Sequence, residues 1–81
     1  MKYLIITFKS RNHAFSFFNL LKSRNLDCSI INTPKVIGST CSLSIKTNIN
    51  NLSYIRSRIN LNNSVNLFMY EPQLNYASRI N

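Results

Sequence analysis

Acidic side chains are nearly absent: the 81 residues hold Asp27 and Glu71 against ten lysines and arginines, a net charge of +8. Paired-carboxylate chemistry therefore has almost nothing to draw on, and the partners such a surface favours are polyanions or acidic proteins. Histidine occurs once, as His13, and cysteine twice, thirteen positions apart, as Cys28 and Cys41. One histidine and two separated cysteines do not make a metal ligand set, so neither a metal nor a cofactor is expected. Glycine also occurs once, at Gly38, and proline twice, which leaves few breaks and predicts elements that follow each other closely. There is no long apolar run. The stretch "KYLIITF" behind Met1 is too short for a signal core or a membrane span. A cytoplasmic location with reduced thiols is the expectation, and a structural disulfide is not.

What is present supports a folded core. Apolar residues make up 44% of the chain, with nine aromatics, enough for one small domain. The basic residues are scattered and never form a run, and thirteen asparagines beside many Ile, Ser and Lys fit an AT-rich coding background. The charge thus has a compositional reading beside the functional one.

Periodicity divides the chain into six elements. "KYLIITF" (2–8) reads as a strand covered on both sides. In 10–25, Ala14, Phe17, Phe18 and Leu21 fall on one helical face, with Ser10 or Asn12 as cap and Asn25 as a left-handed stop. "CSIINT" (28–33) is a second strand. "SLSIKT" (42–47) is a third, with Leu43 and Ile45 inward and Ser42, Ser44 and Lys46 outward. Asn50 or Asn51 caps a second helix carrying Leu52, Ile55 and Ile59, and "SVNLFMY" (64–70) is a fourth strand. Pro72 ends it, so the domain is expected over 1–72 with a loose tail over 73–81.

The order β-α-β-β-α-β predicts an α+β, ferredoxin-like sandwich, a four-stranded antiparallel sheet with two helices on one face. Right-handed crossovers put the third strand between the first and second. Its start, with Cys41, then lies by the end of the first strand, near Lys9, Ser10, Asn12 and His13 at a helix N-terminus. The helix dipole and the charge of Lys9 and Lys35 favour a thiolate there, the form in which cysteine is a nucleophile. His13 is read either as a surface residue or as a group tuning that thiol. Cys28 falls at the opposite end, roughly 16 Å away by strand rise, and reads as core filler.

The segments "KYLIITFKSRNHAF" (2–15), "CSIINTPK" (28–35) and "STCSLSIK" (39–46) carry a resemblance. In sequence and element order over about residues 1–70, the chain resembles the Se/S carrier-like family of small bacterial domains. The resemblance implies that Cys41 is the thiol holding sulfur or selenium, that His13 matches the family's first-helix histidine, and that Pro34 and Lys35 match its Pro-basic pair. It further implies a donor enzyme, such as a cysteine desulfurase or a selenium-mobilising protein, an acceptor protein, and no turnover by the carrier itself. The family's glycine after the cysteine is Ser42 here, which puts a side chain where a partner's donor atom would approach. The rival readings are a basic RNA-binding module, since the same layout recognises RNA, and a structural or regulatory domain with an inert cysteine. Against RNA stand the missing basic-Gly-aromatic strand and the Ser42, Ser44 and Lys46 of the third strand.

Overall fold

The computed structural model describes residues 2–38, 43–59 and 65–80. Its elements run β1 (Tyr3–Thr7), α1 (Arg11–Ser23), β2 (Cys28–Asn32), β3 (Leu43–Asn48), a 3-10 turn (Ile49–Asn51), α2 (Leu52–Arg58), β4 (Asn66–Glu71) and β5 (Tyr76–Arg79). The strands form one antiparallel sheet in the order β2-β3-β1-β4-β5. The third strand does lie between the first and second, antiparallel to both. The strand count differs from expectation: among the described residues there are five, not four.

The fifth strand comes from the segment expected to be a tail. Leu74 and Asn75 donate backbone N–H groups to the carbonyls of Glu71 and Pro72, and Asn75 takes φ 48°. Asparagine tolerates this left-handed conformation, so Pro72 opens a tight turn between strands. Ile80 then donates its N–H to the Leu67 carbonyl, and its own carbonyl accepts from the Arg56 guanidinium at 2.9 Å.

β1 reads as a nearly continuous apolar run because it is central. It pairs with β3 on one side and β4 on the other, and Leu4 through Phe8 are all buried. Leu4, Ile6 and Phe8 join Ile45, Leu67, Ala14, Leu21 and Ile55 in the core that both helices close. Ile5 points to the other face and is also fully buried, between its strand partners Lys46 and Phe68.

α1 begins where a cap allows it. Ser10 is extended, and its hydroxyl accepts the His13 N–H at 3.2 Å. The helix ends with Asn25 at φ 60°, donating to the Lys22 carbonyl, while Leu26 donates to the Leu21 carbonyl. That is a Schellman stop with asparagine in the left-handed seat. The second helical region starts earlier than expected. The Asn48 side chain accepts from Asn50 N–H at 2.8 Å and opens the 3-10 turn, whereas Asn51 makes no capping bond and instead donates its amide to Thr47.

Candidate functional site

The sheet register gathers three chain segments at one rim. Thr7, the last residue of β1, lies opposite Ser44, and Asn32, the last of β2, lies opposite Leu43. The β1–α1 corner (Lys9, Ser10, His13), the loop after β2 (Pro34, Lys35) and the start of β3 therefore share this end of the sheet. Cys41 and Ser42 lie outside the described residues, two and one positions before Leu43.

Each segment is held locally. The hydroxyls of Thr33 and Ser44 hydrogen-bond each other, tying the loop after β2 to β3. Ser44 was expected to face solvent. It does lie on the face away from the helices, but it is fully buried beside Thr7, which is also buried. Its buried hydroxyl is satisfied by Thr33. Past Pro34, Ile37 donates to the Pro34 carbonyl at 3.0 Å, and Gly38 follows at φ 69°. Lys35 stands exposed in that turn, as Lys9 and Ser10 do at the β1–α1 corner.

His13 sits in the first turn of α1 and is half-buried. Its ring meets Phe8 edge-on, with centroids 5.2 Å apart and planes at 61°. Phe8 also packs against Phe17, one helical turn further on, at 5.7 Å. Phe8 is thus wedged between two helix residues at i and i+4, and the wedge fixes the imidazole at the rim. Its role was not read from the sequence, where Phe8 was only the last apolar residue of a strand. The available signal was an aromatic two residues before the helix cap, followed by aromatic residues on the helix itself.

Cations occur at both ends of the sheet, Lys22 and Lys46 among them near Cys28, whereas the acids occur at one end only. Lys9, Arg11 and Lys35 belong to the rim at the end of β1, and α1 has no acid in its first turn. Both carboxylates of the chain belong to the opposite end. Asp27 precedes Cys28, which pairs with Thr47, and Glu71 follows Tyr70, which pairs with Tyr3. The helix N-terminus and these three cations thus belong to a rim that holds neither carboxylate of the chain.

Cys28 is at that opposite end, 6% exposed and part of the core. Burial raises its thiol above the ordinary value, Lys22 pulls it down, and Asp27 pushes it up. It lines a pocket of about 100 Å³ with Tyr3, Asp27, Ser29, Lys46, Thr47 and Asn48. A buried, protonated thiol is a poor nucleophile. Among the described residues, no three His, Cys, Asp or Glu side chains gather in a way that could hold a metal ion, and no helix is long and apolar enough to cross a membrane.

The architecture is an α+β sandwich: a five-stranded antiparallel sheet, with two helices packed on one face and a basic rim at the first helix N-terminus. Residues 3–71 match the family described as "Putative Se/S carrier protein-like". The chain belongs to that family. No curated protein and no solved structure matches it.

Proposed function

We propose that this protein carries a sulfur or selenium atom on Cys41, as a persulfide or perselenide, from a donor enzyme to an acceptor protein. Membership of the Se/S carrier family over residues 3–71 carries this reading. In the transfer, the Cys41 thiolate attacks the terminal sulfur of a donor persulfide. The donor's S–S bond breaks, a new S–S bond forms on Cys41, and the donor thiolate leaves with the electron pair and takes up a proton. Oxidation state is conserved and no outside oxidant is needed. Selenium follows the same balance with a terminal selenium in place of sulfur.

The rim supports this chemistry. The N-terminus of α1 with Lys9, Arg11 and Lys35 favours both an attacking thiolate and the terminal anion left after transfer. Ser10 fixes the helix start, His13 would exchange protons with the thiol or its cargo, and Pro34 and Lys35 form the loop that a donor meets first. The same positive surface would steer an acidic donor, such as a cysteine desulfurase or a selenium-mobilising protein. The domain performs no turnover of its own, works in the cytoplasm, and takes a ferredoxin-like layout to which β5 is appended.

Intact-mass measurement after incubation with a cysteine desulfurase and cysteine tests the proposal. The wild type should gain the mass of one sulfur atom, which a thiol reductant removes. Cys41→Ser should abolish the gain and Cys28→Ser should keep it. His13→Ala should slow loading while the circular dichroism spectrum stays native. A gain that survives in Cys41→Ser and disappears in Cys28→Ser would overturn the assignment.

A further inference from the structure

We infer that the sheet face opposite the helices is a docking surface for single-stranded RNA. The two faces are built differently. Leu4, Ile6, Ile45 and Leu67 are at most 1% exposed beneath the helices. On the other face Tyr3, Lys46, Phe68 and Tyr70 are half-buried and stand outside that core.

The register arranges these side chains in rows. Lys46, Ile5, Phe68 and Arg79 lie opposite one another across β3, β1, β4 and β5, and Tyr3 lies opposite Tyr70 in the next row on the same face. Neighbouring strands are about 4.8 Å apart and same-face residues about 7 Å apart along a strand. Three aromatic rings on two adjacent strands thus sit between a cation on one side of the sheet and a cation on the other. Lys46 Nζ already lies 4.5 Å above the Tyr3 ring, so charge and ring form one element. Planar rings that stack on bases, flanked by cations that meet phosphates, are what a single strand requires.

The third strand has no aromatic pair, and no strand carries a basic-Gly-aromatic segment. The structure supplies the rings from β1 and β4 instead.

Charge selects the occupant. The sheet strands place no carboxylate on this face, and Asp27 reaches only its edge, as lining of the pocket beside Lys46 and Tyr3. With net charge +8, a second copy of the chain would set like charges face to face, whereas a polyanion would not. Ser29, on the same face beside Lys46, offers a hydroxyl suited to a ribose 2′-OH, and this favours RNA over DNA. The surface does not involve Cys41, so its success or failure is separate from that of the carrier reading.

Fluorescence anisotropy with a labelled, mixed-sequence single-stranded RNA is the test, run on the full chain. Binding should weaken as salt rises from about 50 to 200 mM, and Lys46→Ala should reduce the log–log salt slope by about 0.7. Phe68→Leu and Tyr70→Leu keep apolar bulk while removing a ring, and each should weaken binding about 10-fold. Arg24→Ala, on the exposed end of α1, should bind as the wild type does. In the unmutated protein, RNA should move the backbone amide resonances of Tyr3, Lys46, Phe68 and Tyr70 and leave those of α1 in place. Absence of binding at low salt, resonance changes confined to the helices, leucine variants that bind normally, or equal competition by single-stranded DNA or an RNA duplex would each overturn the inference.

Discussion

A buried thiol keeps its proton, and Cys28 shows what that means for both reactivity and stability. Burial outweighs the favourable pull of Lys22, so the folded protein holds this proton above the ordinary thiol value of 9.0. The unfolded chain ionises first as pH rises. The stabilising contribution of Cys28 is therefore complete below pH 9.0 and is lost as the pH climbs through the raised folded value. Denaturant titrations should show the wild type losing stability over that alkaline window more steeply than Cys28→Ala. Near neutral pH, iodoacetamide should label Cys28 only slowly, as peptide mapping of the alkylated protein would register. Gly38 makes a different single-residue demand. A side chain there would meet nothing within 4 Å, but φ is 69°, a conformation that costs most residues about 1 kcal/mol. Gly38→Ala should lower stability by about that amount, and Gly38→Asn by clearly less, in urea unfolding. A larger loss in both would mean that packing, not backbone, fixes the glycine.

Among the elements, β5 is the one whose contribution most needs measurement. Ile80 follows it directly, bonds to Leu67 and Arg56, and packs half-buried on the core, whereas Tyr76 at its start is 53% exposed. Ile80→Ala should cost about 1–2 kcal/mol, roughly half a full core truncation, and lower the melting temperature by roughly 5–10 °C. Tyr76→Ala should change stability by less than about 0.5 kcal/mol. Equal effects in thermal melts would show that β5 does not brace the sheet. This strand is also where sequence reading stopped short. Pro72 is a valid strand terminator, but four residues carry a second signal in Asn75, a tolerant left-handed residue before a new strand. The first helix was legible because its period is long: Ala14 and Leu21 on α1 are buried as the helical spacing requires, and Asn25 takes the stop assigned to it, whereas the 3-10 turn that precedes the short α2 was not. Of the candidate site, topology predicts that the β1–α1 corner shares one end of the sheet with the start of β3, and Thr7 does lie opposite Ser44, but Cys41 itself is outside the described residues. The Thr33–Ser44 bond and the Phe8 wedge were not legible, since both depend on side chains meeting across elements. Alternation places Ser44 on the outward face, and its burial comes from its place between Thr7 and Ile31 and from the bond to Thr33.

At the scale of the whole molecule, Cys28 belongs to one end of the sheet, while Cys41 lies outside the described residues just before the start of β3. Cys28 lies opposite Thr47 on β3, and the segment bearing Cys41 enters the same strand at Leu43, four residues away. Four residues of strand span about 13 Å, whereas a disulfide brings Cα atoms within about 7 Å. Both acids are at the Cys28 end, where Lys22 and Lys46 accompany them, and Lys9, Arg11 and Lys35 are at the other. On the proposed carrier reading, a persulfide on Cys41 should meet no second thiol of its own chain, since Cys28 is buried at the far end of β2. It could not be discharged by an internal disulfide and would survive until a thiol from another protein arrived. Mild oxidation with diamide should accordingly yield a disulfide-linked dimer through Cys41 or a mixed disulfide with added glutathione. Intact mass under non-reducing conditions should show no monomer that has lost two hydrogens. Cys28→Ser should leave this pattern unchanged and Cys41→Ser should erase it. Rapid closure of a Cys28–Cys41 bond in the folded protein would instead overturn the proposed carrier role in favour of a two-thiol redox protein.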